Sequence, residues 1–188
     1  MRVPISISGR HSHLSEADAN TLFGSGYQFS QMKDLSQPGQ YVCEETITIQ
    51  GDKGSIDRVR VLGPFRKFTQ VEILQSDTFK LGVKAPIRES GNLEGSGKIT
   101  LIGPKGTVQL NQGLIVAQRH IHLSVAEAKD YGVSNGEIVS VKTLGERSLV
   151  FNNVVVRAND SYALDMHVDM DEANAAGLGA GAWGEIIK

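Results

Sequence analysis

Apolar residues alternate with polar ones through many short runs of this chain. They include VPISIS (3–8), ETITIQ (45–50), DRVRVLG (57–63), FTQVEIL (68–74) and KITLIG (98–103). GTVQL (106–110), GLIVAQ (113–118), EIVSVKTL (137–144) and FNNVVVR (151–157) continue the series. Period-2 alternation marks strands with one buried face, and close spacing between turn signals such as GDKG, GPKG and SNG points to antiparallel barrels or sandwiches. GTVQL and GLIVAQ read as separate runs.

Two short helices interrupt this β pattern. Ser15 is placed as an N-cap with Asp18 three residues on, and Ser124 with Glu127 has the spacing of a capping box. Alanines follow each, and Gly24 and Gly132 are the expected stops. Both helices come from one repeated phrase, RHSHLSEADA at 10–19 and RHIHLSVAEA at 119–128, offset by 109 residues (120 − 11). A fainter second half aligns DTFKLGVKAPIRESGNL (77–93) with DSYALDMHVDMDEANAAGL (160–178), which sets His167 against Lys84. The chain therefore reads as a duplicated domain with diverged copies: mainly β, two pseudo-symmetric small β-barrels capped by short α-helices.

Composition narrows the functional classes. The 188 residues are 40% hydrophobic and 21% charged, with a formal net charge of −2. No long basic run favours nucleic acid or an anionic membrane, and no apolar run approaches the roughly 20 residues of a spanning helix. The start, MRVPISIS, lacks the layout of a secretory signal. A single cysteine, Cys43, forms no internal disulfide, which fits a reducing compartment; within YVCEETITI it reads as a half-buried apolar residue rather than a nucleophile.

The chemistry lies in the histidines. Four of five sit in the two His-x-His units, and period 2 puts both rings of each unit on one strand face, where they can share one ion. Imidazole suits zinc, copper, iron or nickel. One such unit is a weak signal, and its rings can equally satisfy turns; two in matching contexts favour metal binding. Arg66 and Glu72 are candidates for an anion-binding arginine and a carboxylate ligand, although spacing alone equally describes a surface charge pair. Arg10 and Arg119 suit either phosphate or a carboxylate partner. A cupin shares the spacing of His120, His122 and Glu127, but Glu127 is better placed in its capping box. No GxSxG elbow, P-loop or GxGxxG signature is present.

The paired RHSHLS and RHIHLS, the LGPFRKFTQVEI between them and the late ALDMHVD closely resemble the PduL-type phosphate acyltransferases, and the likeness runs from VPISIS to the final GAWGEII. The resemblance implies reversible transfer of a short acyl group, acetyl or propanoyl, between coenzyme A and inorganic phosphate. It implies two zinc ions per chain, with cobalt or nickel as alternatives: one on His11, His13 and Glu72 with the coenzyme A sulfur, the other on His120, His122 and His167. Arg66 would be the catalytic, phosphate-holding arginine. Ser8, Lys33, Arg60, Leu62 and Asn174 would line the coenzyme A site. The resemblance also implies discontinuous barrels, 1–9 plus 118–188 and 10–117, with the active site at their junction, and a homodimer. Relatives of this kind often carry a leader into a bacterial microcompartment; with a strand beginning almost at Met1, a cytoplasmic location is expected, or a microcompartment lumen had a leader been removed. The rival expectations are a metal-dependent hydrolase of thioesters or acyl phosphates and a zinc-stapled β-barrel binding module.

Overall fold

The alternating runs fold as barrels, and the chain divides into two compact units. The structure is a computed structural model that describes residues 1–187. A terminal unit comprises Met1–Gly9, Ser36–Pro38 and Gln118–Lys188, and a central unit comprises Arg10–Leu35 and Gly39–Ala117. The short Ser36–Pro38 segment thus belongs to the terminal unit, although it lies inside 10–117. In chain order the elements are β1 (Arg2–Ser8), β2 (His11–His13), α1 (Glu16–Phe23), β3 (Gln31–Asp34), β4 (Tyr41–Gln50), β5 (Ser55–Gly63), β6 (Gln70–Glu72), α2 (Asp77–Leu81) and β7 (Ile87–Arg88). They continue as β8 (Gly97–Ile102), β9 (Thr107–Ala117), β10 (His120–Leu123), α3 (Val125–Tyr131), β11 (Ile138–Thr143), β12 (Val150–Ala158), β13 (Asp165–Asp169), α4 (Met170–Ala176) and β14 (Trp183–Ile187).

Each unit contains a closed six-stranded barrel, ordered β1-β13-β10-β12-β11-β14 in the terminal unit and β4-β5-β2-β6-β9-β8 in the central one. Closure removes edges from the two rings, while β3 and β7 pair outside the central one, on β4 and β9. The two rings have the same wiring. The strand carrying His-x-His runs parallel to one neighbour (β12 or β5) and antiparallel to the other (β13 or β6). The first strand of the chain belongs to the terminal barrel and β9 to the central one, so each His-x-His strand follows a strand of the other unit. The expectation of antiparallel pairing holds only in part: β1–β13, β10–β12, β2–β5 and β6–β9 are parallel. GTVQL and GLIVAQ form the single strand β9. Gly113 lets it continue, with φ at 134° and no side chain; a Cβ there would lie 2.8 Å from the Thr69 carbonyl oxygen.

Alternation accounts for the cores. Val3, Ile5, Ile121, Leu123, Val139, Val141, Val154, Val156, Met166 and Val168 fill the terminal barrel. Ile47, Ile49, Val59, Val61, Val71, Ile99, Leu101 and Leu114 belong to the central core, with Leu14 and Leu22 from the α1 region. The helix signals are observed as read: Ser15 accepts from the Asp18 amide, Ser124 and Glu127 close a capping box, and Gly24 and Gly132 are the C-caps. Sequence reading overlooked α2 and α4, single short helices of five and seven residues. Asp169 caps α4 in a box with Glu172, an Asp-based version of the Ser124–Glu127 signal.

Shared wiring also corrects the second half of the repeat. Glu72 faces His11 and His167 faces His120 across matching antiparallel pairs, so the counterpart of His167 is Glu72, not Lys84. Their separation is 95 residues (167 − 72), and the same offset relates Asp77 to Glu172 and the left-handed caps Gly82 and Gly177. Arg58 and Asn153, both at positive φ, obey it too. The repeat shortens from 109 to 95 because β3 and its flanking loops stand between α1 and β4 without a counterpart between α3 and β11.

Cys43 is fully buried in the central core rather than half-buried. Burial, reinforced by the negative charge of Glu45, pushes its thiol up to about 12, so it stays protonated through neutral and mildly alkaline pH. A thiol reagent at pH 8 should therefore leave the folded protein unlabelled and titrate one thiol in denaturant; stoichiometric labelling of the native chain would contradict this placement.

Candidate metal centres

Period 2 turns Ser12 and Ile121, the middle residues of the two units, toward the barrel interiors, where both are fully buried. Their flanking histidines lie on the opposite strand face, yet His11, His13, His120 and His122 are all buried. Antiparallel register sets a second pair of side chains beside each histidine pair. In the central unit His11 faces Glu72 and His13 faces Gln70. In the terminal unit His120 faces His167 and His122 faces Asp165.

Two triads of metal-ligating side chains result, His11–His13–Glu72 and His120–His122–His167, each with its ligand atoms within 4.8 Å of one another. In the terminal triad the Nε2 atoms of His120 and His122 are 3.0 Å apart. His120 Nδ1 lies 2.8 Å from the Gln118 carbonyl oxygen, which can only accept, so Nδ1 carries a proton and the neutral ring has its lone pair on Nε2. His167 Nε2 lies 3.1 Å from Asp165 Oδ2. In the central triad His11 Nε2 is 3.4 Å from Glu72 Oε2.

Electrostatics disfavour protonation of His13 and His122 and keep Glu72 ionised. Burial, together with the neighbouring His120, His167 and Arg157, lowers His122 to about 2. Burial also holds His13 well below the ordinary imidazole value, with His11 and Arg66 acting in the same sense. For Glu72 burial opposes ionisation, but His11, His13 and the Ser90 hydroxyl outweigh it and hold the carboxyl below its usual range. Asp165 follows the same pattern: burial raises it, and the hydrogen bond from His167, with the Ser6 and Ser36 hydroxyls acting in the same sense, brings it down. The equivalent atoms His13 Nδ1 and His122 Nδ1 are buried without a hydrogen-bond partner. Neutral imidazoles with unused nitrogens, converging beside an anionic carboxylate, fit a divalent transition metal of the zinc type.

Each triad is braced outside its sheet. Arg10 makes a bidentate pair with Asp77, the first residue of α2, at 2.8 and 2.9 Å, and Asp77 Oδ2 also accepts from the Leu74 amide. Arg119 donates to Glu172 of α4 at 2.6 Å, while the other oxygen of Glu172 accepts from the Asp169 amide. Both arginines thus have carboxylate partners, and each ties the start of its His-x-His strand to the helix that follows the strand of the third ligand.

The other candidate residues divide between the units. In the central unit the backbone of Arg66 is anchored to the Leu14 carbonyl and its Nη1 donates to Ser90 Oγ at 3.1 Å. Lys33 is exposed on β3; Arg60 and Leu62 are half-buried on β5, with Arg60 Nη1 donating to the carbonyls of Cys43 and Glu44. In the terminal unit Ser8 ends β1, half-buried, and Asn174 is exposed on α4. Sequence reading missed Gln70, Ser90 and Asp165. Of these, Gln70 and Asp165 carried a usable signal: each lies two residues before a third ligand and so shares its strand face.

Two six-stranded barrels, each bearing a buried His-x-His and a third ligand from the antiparallel neighbour, define the class as a duplicated β-barrel protein with paired metal-type triads. Comparison with known proteins then specifies it. The family model for phosphate propanoyltransferase matches residues 4–179. A phosphate propanoyltransferase of Listeria monocytogenes is 52% identical over 99% of this chain and 87% of its own length. Those of Clostridioides difficile and Thermotoga maritima are 50% and 51% identical over 99% and 98% of this chain, and 89% and 88% of their own. The chain belongs to the phosphate propanoyltransferase family, a family of acyl-transferring enzymes. Among the described residues no helix is long and apolar enough to cross a membrane.

The Arg10–Asp77 brace makes a measurable prediction. Asp77→Ala removes two charge-assisted bonds and strands the Leu74 amide, at an expected cost of about 2–3 kcal/mol in denaturant unfolding. A double cycle with Arg10→Ala should show coupling of about 1–2 kcal/mol; additive losses would mean that the pair contributes nothing as a pair.

Proposed function

We propose that the protein is a metal-dependent phosphate acyltransferase that moves a short acyl group, acetyl or propanoyl, between coenzyme A and inorganic phosphate. The observation that carries this reading is the presence of a ligand triad on matched strands of each barrel, in a chain of this family. In the proposal His11, His13 and Glu72 hold one zinc ion and His120, His122 and His167 a second. When bound, such ions supply Lewis acidity and favour a thiolate over a thiol at neutral pH.

The side chains of this chain supply the rest. Arg66, held by Ser90, would bind and orient phosphate through its remaining donors, a role suited to a planar guanidinium. Lys33, Arg60 and Leu62 of the central unit and Ser8 and Asn174 of the terminal unit are the proposed coenzyme A contacts. In the direction that makes the acyl phosphate, a phosphate oxygen attacks the thioester carbonyl carbon, the carbon–sulfur bond breaks and coenzyme A leaves as thiolate. The proposed route is direct transfer in a ternary complex, supported by the burial of Cys43, the single cysteine, whose thiol is held protonated. Holding both substrates together then provides much of the acceleration.

Release of free thiol from acetyl-CoA or propanoyl-CoA should be strictly phosphate-dependent, lost on chelation and restored by zinc. Release without phosphate would instead define a thioesterase-like hydrolase, and bound metal without release a binding module. His120→Ala should lose metal from one triad together with activity, whereas full activity of the metal-depleted variant would end the metal mechanism. Arg66→Ala should raise the phosphate concentration needed for half-maximal rate by tenfold or more, about 1.4 kcal/mol or above; an unchanged phosphate dependence removes Arg66 from the site.

A further inference from the structure

Gln70 and Asp165 occupy the same place in the two barrels. Each lies two residues before the third ligand, on the same strand face, opposite the second histidine of its His-x-His unit. They are 1% and 3% exposed, too buried to be incidental surface groups. Their chemistry is opposite, and so is the chemistry of the ligands they touch.

The Gln70 amide has one possible orientation. Its Oε1 accepts from the Gly91 amide at 2.8 Å, so its Nε2 must donate, and it donates to Glu72 Oε1 at 2.6 Å and Ser90 Oγ at 2.8 Å. Glu72 Oε1 is thereby occupied, leaving Oε2, the oxygen nearer His11, for an ion. In the other barrel the Asp165 carboxylate accepts, so His167 Nε2 donates to it, and in the neutral ring the lone pair is on Nδ1. A donor stands behind the acceptor ligand, and an acceptor behind the ligand that bears a proton.

We propose that Gln70 and Asp165 are positioning residues, each matched to its third ligand, so that Gln70–Glu72 and Asp165–His167 act as two-residue units that cannot exchange ligands singly. The inference rests on the reading of both triads as metal sites. Both units contain one negative charge, within the ligand set in the central barrel and behind it in the terminal one. Partners of this kind orient ligands and alter metal affinity by about 10–100-fold.

Exchanging the units tests the match. Glu72→His alone sets an imidazole against the Gln70 amide, which donates to one ring nitrogen and leaves the proton on the nitrogen that should face the ion. Zinc affinity of the central site, measured by chelator competition, should fall at least tenfold. Adding Gln70→Asp supplies the acceptor and should recover at least tenfold over the single variant; a double variant no tighter than Glu72→His overturns the proposal. The unmodified protein provides an arm that needs neither folding of a variant nor bound metal. After chelation, long-range nitrogen–proton NMR should find His167 protonated on Nε2, and Asp165→Ala should lose that bias. His167 protonated on Nδ1 in the unmodified protein also overturns the proposal. Failure of the unmodified protein to bind zinc would refute the metal reading alone, because the tautomer still decides whether Asp165 and His167 are matched.

Discussion

The antiparallel register between each His-x-His strand and its neighbour is the constraint on which the functional architecture depends. Pairing of His11 with Glu72 and His120 with His167 brings the third ligand to the first two, and the same register turns Val71, Met166 and Ile121 into the barrel cores. Because the period is two, a slip of one residue would move the histidines into the core and the core residues out. Core packing and ligand convergence therefore select the same register. The arginine–carboxylate braces lie beyond the sheet hydrogen bonds and resist the same slip, since Asp77 and Glu172 travel with the strands that carry the third ligands.

Features set by local chemistry were legible in the sequence, and features set by chain-distant pairing were not. The His-x-His strands, the Ser15 and Ser124 caps, the glycine stops and the alternating runs can be read within ten residues, and each reappears in the structure. The parallel pairs cannot be read that way, because nothing in a strand reports the direction of its neighbour. The alignment of His167 with Lys84 failed for a related reason. It assumed that the repeat kept one spacing, whereas β3 and its loops lengthen only one copy, and only strand wiring reveals Glu72 as the counterpart. Helices α2 and α4 escaped notice because a turn or two of helix carries too little periodicity to separate from a loop.

Divergence between the copies is concentrated where charge matters. Core positions keep their apolar character apart from Ser12, which stands where the other barrel has Ile121, and the braces keep their signs, Arg10 with Asp77 and Arg119 with Glu172. The third ligand changes from carboxylate to imidazole, and the residue behind it from amide to carboxylate. A duplicated scaffold has therefore retained its geometry while assigning different local fields to two similar side-chain triads.

Strand exchange between the units has a consequence for how the chain is made. The central barrel is built from β2 to β9 and is complete once Ala117 has been synthesised. The terminal barrel must hold β1 in waiting until β13 and β14, its partners at the far end of the chain, have emerged. Its folding is then a closure over almost the whole sequence, the slow and aggregation-exposed kind. The ends meet when it is done: the Ile186 amide donates to the Met1 carbonyl at 2.9 Å. Joining those ends and opening the chain between Ala117 and Gln118 would let both barrels form in order of synthesis. The present strand order instead makes β14 the strand that locks β1.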